Sequence, residues 1–128
     1  MRVFLTREAV RLVRKLSIGA DELRDAIVRA ERGSIDADLG GGVIKQRVGR
    51  GGMGRSRAAR AIIVLWSGEL AVFVHVFAKS DKSNLSALEL AAFKDFAKLV
   101  RRIGPDVLAG RTAWTELEDD HRVEDTSH

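Results

Sequence analysis

The sequence predicts an α+β fold: a small antiparallel sheet with an N-terminal αα-hairpin and a C-terminal helix. Three observations point to it. Two apolar stripes at helical spacing stand close together near the N-terminus, three strand-length segments occupy the middle of the chain, and a broad third stripe follows a capping box. At 128 residues the chain can bury one hydrophobic core and not two.

Arg2 to Thr6 is β-branched and aromatic enough to be a strand, and Thr6 can cap the helix that follows. In that helix Ala9, Leu12, Val13 and Leu16 fall on one stripe, with Arg7, Glu8, Arg11, Arg14 and Lys15 opposite. Ser17 to Gly19 breaks it. A second helix from Ala20 to Arg32 presents Leu23, Ala26, Ile27 and Ala30, and Gly33 is placed to stop it. The run SIDADLGGG, residues 34 to 42, has turn residues and no period, so a loop is expected, with Asp36 and Asp38 shaping its turn. Val43 to Val48 is a strand with Val43, Lys45 and Arg47 on one face and Ile44, Gln46 and Val48 on the other. GRGGMGRSR, residues 49 to 57, is a glycine-rich connection. Ala59 to Trp66 and Leu70 to Ala78 flank Ser67-Gly68-Glu69 as a hairpin. In its second strand Leu70, Val72, Val74, Val76 and Ala78 make an aliphatic face, expected under the helical hairpin. Ala71, Phe73, His75, Phe77 and Lys79 make a wetter one. Ser86 and Glu89 open the last helix, whose stripe runs from Leu85 to Ile103 until Gly104-Pro105 ends it.

Composition narrows the function. With 45% apolar and 31% charged residues and no apolar run of membrane-spanning length, disorder and a membrane protein are both excluded as readings. Having no cysteine, the chain has no thiol nucleophile, thiolate metal site or disulfide, which fits a cytoplasmic location. The net charge of +4 conceals an uneven distribution. Leu39 to Gly68 holds Lys45, Arg47, Arg50, Arg55, Arg57 and Arg60 and no acid; the last thirteen residues hold six acids and one arginine. Residues 1 to 115 therefore carry 21 cations against 12 acids, and the tail carries −5. A cationic body attracts polyanions.

Lys45 and Arg47 lie two apart on a strand, so their heads share a face about 7 Å apart, close to one phosphate repeat of a nucleic acid. Arg60 opens the next strand and can join them, with Arg50, Arg55 and Arg57 as a fringe. The alternative is a solvated sheet face, but cations without counter-charges repel one another until an anion arrives. The glycine-rich run carries neither GxxxxGK[ST] nor GxGxxG and leads into a strand, so it is a turn and not a nucleotide cradle. His75, between Phe73 and Phe77, is either a hydrogen-bonded packing residue or a general acid or base. His121 and His128 sit in the acidic tail and read as inert, and no histidine spacing suggests a metal. Trp66 and Trp114 read as packing residues, although Trp66 shares a strand face with Arg60, where an indole can stack on a base.

The run ERGSIDADLGGGVIKQRVGRGGMGRSR, then AIIVLW, then FVHVFAKSDKSNLSALELAAFK, resembles the RelE/HigB superfamily of toxins from bacterial type II toxin–antitoxin systems. The likeness runs from Arg2 to Ile103 and is most specific in GGVIKQR and FAKSD. It implies a RelE-like toxin domain over residues 1–105, with 106–128 a C-terminal extension bearing the acidic tail. It also implies a ribosome-dependent mRNA endonuclease that needs no metal or cofactor and is neutralised by a cognate helix-turn-helix antitoxin. By resemblance the catalytic positions are Lys45, Arg47, Arg60 and His75. Arg50, Arg55 and Arg57 join the RNA-binding set, and the basic residue after the last strand falls on Lys79 or Lys82. Lys45 would accept the 2′-OH proton. The chain departs from the family where relatives carry Gly-Gly-Tyr-Arg and Tyr-Gly: it has Ala58-Ala59-Arg60 and His75-Val76, and no tyrosine at all. Two other functions share these features, a ParE-like gyrase poison of the same superfamily and a non-catalytic module that docks on RNA or on an acidic partner.

The acid-free basic stretch predicts that the protein is retained on heparin at physiological ionic strength and elutes as salt rises. Flow-through at that salt would show that these cations form no polyanion-binding face.

Overall fold

Val3, Phe4 and Leu5 are all buried, Val3 and Leu5 on one side of their strand and Phe4 on the other. A strand buried on both faces belongs at the centre of a layered fold. In a computed structural model of the chain, which describes residues 1–50, 58–78, 85–110 and 114–117, it forms β1 (Arg2–Thr6). The elements that follow are α1 (Arg7–Lys15), α2 (Ala20–Glu31), β2 (Ala37–Gly40), β3 (Val43–Val48), β4 (Ala59–Trp66), β5 (Leu70–Ala78), α3 (Ala87–Ala109) and β6 (Trp114–Glu116).

The six strands form one sheet in the order β2-β3-β4-β5-β1-β6. Its neighbours are antiparallel except β1 and β5, which run parallel from Arg2 opposite Leu70 to Leu5 opposite Phe73. The expected antiparallel sheet is thus mixed. Because β1 and β5 are not joined by a hairpin, no turn imposes an antiparallel pairing on them. Residues of α1 and α2, Ala9, Val13, Leu23, Ala26, Ile27 and Ala30, pack with Leu5, Ile44, Ala61 and Phe73 on one face. Residues of α3, Ala97, Val100 and Leu108, pack with Phe4, Val43, Ile62, Val64 and Val72 on the other.

Local chemistry marks the element ends. Thr6 Oγ1 accepts from Ala9 N at 3.1 Å and caps α1. Ser86 and Glu89 form the complete capping box at the start of α3. Gly104 leaves helical geometry at φ 78°, ψ 167°, and Pro105 begins a further turn that runs to Ala109. Arg2 clips the far end, donating from Nε and Nη2 to both oxygens of Glu116 at 2.8 and 2.9 Å and from Nη1 to Asp106 at 2.9 Å. Among the described residues no helix is long and apolar enough to cross a membrane.

Two expectations are corrected. Residues 34–42 are not all loop: Ala37–Gly40 forms edge strand β2, whose register slips between Asp38 and Gly40. The reversal to β3 runs through Gly40, Gly41 and Gly42, all at positive φ. Asp38 shapes the turn as expected, its Oδ1 accepting from Gly40 N at 2.9 Å. The second correction concerns β5. The α1/α2 layer covers Ala71, Phe73 and Val76, while Leu70, Val72 and Val74 face α3. One residue causes this: Ile63 pairs with Phe73 and Ile62 with His75, so Val74 is an extra residue, a bulge. The bulge rephases the strand, so no continuous aliphatic face exists.

Gln46 is the one polar residue among the buried side chains described, fully enclosed. Its Nε2 donates to Ala26 O at 3.0 Å and Ser34 O at 2.9 Å, and its Oε1 accepts from Asp36 N at 3.0 Å. It therefore ties β3 to α2 and to the segment entering β2. Replacing it with Leu strands a backbone N–H and two carbonyls. The Gln46→Leu protein is expected to lose about 2–3 kcal/mol, read as a lower urea midpoint with an unchanged slope.

Candidate functional site

Strand pairing brings the four leading candidates onto one face. Arg47 stands opposite Arg60, and Arg60 opposite Phe77; one step along, Lys45 stands opposite Ile62, and Ile62 opposite His75. Directly opposed residues share a face, and Ile62 and Phe77 pack with the α3 cluster. Lys45, Arg47, Arg60 and His75 therefore occupy the α3 face, all partly exposed. Lys45 and His75 are two strand spacings apart, about 10 Å, and the two rows are about 7 Å apart. Strands β3, β4 and β5 contain no acid.

The scaffold holds these groups by their backbones. Arg47 N donates to Asp36 Oδ2 and Arg47 O accepts from Arg29 Nη2, while Arg29 Nε is paired with Asp25 at 2.9 Å. The Arg47 Nε is buried and has no acceptor among the described residues. Arg60 Nη1 curls back to Ala58 O and Ala59 O at 3.2 and 3.3 Å, long contacts that an anion can replace.

Arg50 goes elsewhere: its Nε donates to Leu16 O at 3.3 Å, at the end of α1. The structure does not bring it to Lys45 and Arg47. Arg55, Arg57, Lys79 and Lys82 lie outside the described residues.

His75 does not sit between two phenylalanines on one face. The bulge sends Phe73 under α1 and α2 and leaves His75 stacked on Phe77, ring centres 5.7 Å apart and planes at 29°. On its other side His75 lines a cleft of about 530 Å³ with Thr6, Glu8, Val74, Glu89, Ala92, Phe93, Phe96 and Trp114. Phe96 stacks on Trp114 at 5.2 Å. Both tryptophans pack against the α3-side cluster, as expected: Trp66 shares the face of Arg60 at the far end of β4, and Trp114 lines the same cleft as His75. Sequence periodicity assigns Phe93 and Phe96 to the core stripe, and β6 has only three residues, too short for a period. No local signal marked this cleft.

A family model described as the RelE toxin of the RelE / RelB toxin-antitoxin system matches residues 1–118. The chain belongs to the RelE toxin family. No curated protein matches it. Membership makes this RelE-family chain the toxin of a toxin–antitoxin pair, which implies a cognate antitoxin. The match reaches through β6, so the strand that carries Trp114 to the cleft lies within the family's span.

Glu89 belongs both to the cleft and to the α3 cap. The Ser86 backbone N–H, then the Ser86 hydroxyl, hold its carboxyl below the ordinary carboxylate value, with a smaller contribution from the charge of His75. A depressed carboxylate stabilises the fold fully above its unfolded pKa and loses that contribution as pH falls through its folded value. The stability difference between the parent and Glu89→Gln is thus expected to be constant near neutrality and to shrink as pH falls below about 4.3. Thermal melts across that range measure it.

Proposed function

We propose that this toxin is a metal-independent, ribosome-dependent mRNA endonuclease that inhibits translation and growth and is neutralised by a helix-turn-helix antitoxin. The observation that carries the reading is the gathering of Lys45, Arg47, Arg60 and His75 on one face whose strands contain no acid. Such a face suits attack of an RNA 2′-OH on the adjacent phosphorus, which forms a cyclic phosphate and expels the 5′-oxygen. The step needs a proton acceptor, a proton donor and cations around the developing negative charge. Lys45 takes the 2′-OH proton, and His75, across Ile62, gives one to the leaving oxygen in place of the family's tyrosine. Arg47 and Arg60 stabilise the five-coordinate phosphorus. Among the described residues the Arg47 Nε has no acceptor, which leaves the guanidinium without a competing internal partner for that N–H. Arg55, Arg57 and Lys79 or Lys82 contribute contacts to the RNA backbone. Action on translating ribosomes places the protein in the cytoplasm.

Primer extension on transcripts after induction tests the reading. Translation-dependent cuts are expected; DNA breaks with intact mRNA would make the protein a gyrase poison instead, and neither would leave a binding module. Lys45→Ala is expected to slow cleavage by about 10²–10⁴ and Arg60→Ala by about 10²–10³. His75→Phe keeps a ring on Phe77 and loses the proton, so it is expected to fall with them while His75→Tyr retains activity. Parental rates in Lys45→Ala would remove its assigned role.

A further inference from the structure

We propose that α3 carries a second contact for the phosphodiester backbone of RNA, formed by Lys94, Lys98, Arg101 and Arg102 beside the β2–β3 turn. The inference rests on the nuclease reading above, which makes RNA the polyanion. Residues 94–102 hold these four cations and a single acid, Asp95. At about 100° and 1.5 Å per residue, the four side chains leave the helix within about a third of its circumference, in steps of about 6 Å that successive phosphates of a single strand can follow. None of the four is ion-paired among the described residues. Asp95 is exposed on the outer side of the helix, and Asp38, beside the turn, uses one oxygen on Gly40 N.

The turn holds two of these cations in place. The stem of Lys94 lies across the glycines: a Cβ on Gly41 would meet Lys94 Cγ at 3.1 Å, and one on Gly40 would meet its Nζ at 3.4 Å. Arg101 Nη2 stands 3.9 Å from the corresponding point on Gly42. Three successive glycines at positive φ therefore let α3 bring Lys94 and Arg101 down onto the turn. Gly42 precedes Lys45 by three strand positions, about 10 Å, and Lys45 is partly exposed on the same α3 face. The α3 cations thus extend the row Arg60, Arg47 and Lys45 past the end of β3, and an RNA strand held in that row reaches them within a few nucleotides. Arg101 and Arg102 also precede the break at Gly104, where cations favour the helix dipole. Lys94 is more than two turns earlier and has no such role.

Two probes test the contact by fluorescence anisotropy over a range of salt: a 2′-O-methyl oligouridylate, whose blocked 2′-oxygen prevents cleavage, and protein-free ribosomal RNA. The variant carrying Lys94→Gln, Lys98→Gln and Arg101→Gln is expected to bind about 10–100-fold more weakly than the parent at about 0.15 M salt, with a slope of log K against log salt shallower by about two. Lys94→Gln alone, away from the helix end, is expected to take about 0.7 off that slope with an unchanged thermal midpoint. Replacing Arg7, Arg14 and Lys15 of α1 with Gln removes the same charge from the opposite layer and is expected to leave the slope as it is. A deficit on the oligonucleotide assigns the contact to a single strand such as a message, and a deficit confined to ribosomal RNA assigns it to the ribosome. No change of slope on either RNA, or equal changes in the α1 control, overturns the proposal. Transcript cleavage by the parent judges the nuclease separately. A parent that cleaves while the α3 variants bind like it refutes the α3 contact alone, and α3-dependent binding by a parent that cleaves no transcript refutes the nuclease alone.

Discussion

A strand has a side-chain period of two, and one extra residue between two ladder positions breaks that period and reverses which residues face which layer beyond it. In β5 that residue is Val74. Before it, Leu70 and Val72 belong to the α3 layer and Ala71 and Phe73 to the α1/α2 layer; beyond it, Val76 has joined the α1/α2 layer and His75 and Phe77 the α3 side. Both Val74 and His75 line the cleft under α3. Without the extra residue, regular alternation through Val76 would send His75 to the same side as Phe73. The meeting of His75 with Lys45, Arg47 and Arg60 therefore depends on one unpaired residue in the middle of a buried strand.

The rest of the scaffold keeps β3 where that meeting needs it. Residues on both sides of β3 are buried, Val43 against α3 and Ile44 and Val48 against α1 and α2, so a slip of one residue would expose apolar groups and bury charge. Gln46 locks the inner side to α2 with three hydrogen bonds, and Asp36 and Arg29 hold the backbone N–H and carbonyl of Arg47. Protein groups thus position the Arg47 backbone, while its side-chain Nε has no acceptor among the described residues. The frame around Arg47 is thus more fully hydrogen-bonded than its side chain, which fits the anion-binding role proposed for it.

Much of the fold was readable because its signals are local. The Thr6 and Ser86 caps, the stop at Gly104 and the alternation of Val43 to Val48 each involve residues within a few positions of one another. The candidate cations Lys45, Arg47 and Arg60 were equally readable, since their cue is a stretch without acids. Edge strand β2 was not, because a four-residue strand containing Asp and Gly has little period of its own and is held by pairing with β3. The parallel pairing of β1 with β5 joins residues nearly seventy positions apart, beyond any local cue.

What the sequence by itself determined is chemical type: a small α+β domain, no thiol chemistry, a cationic stretch in search of an anion, a histidine where relatives carry tyrosine, and a likeness that the family match confirms. What only the tertiary structure decided is arrangement. It separated His75 from Phe73, sent Arg50 to α1 and put Trp114 and His75 in one cleft. The physical reason is that face and neighbour depend on strand register, and register follows from burial on both sides of the sheet, to which residues from every part of the chain contribute.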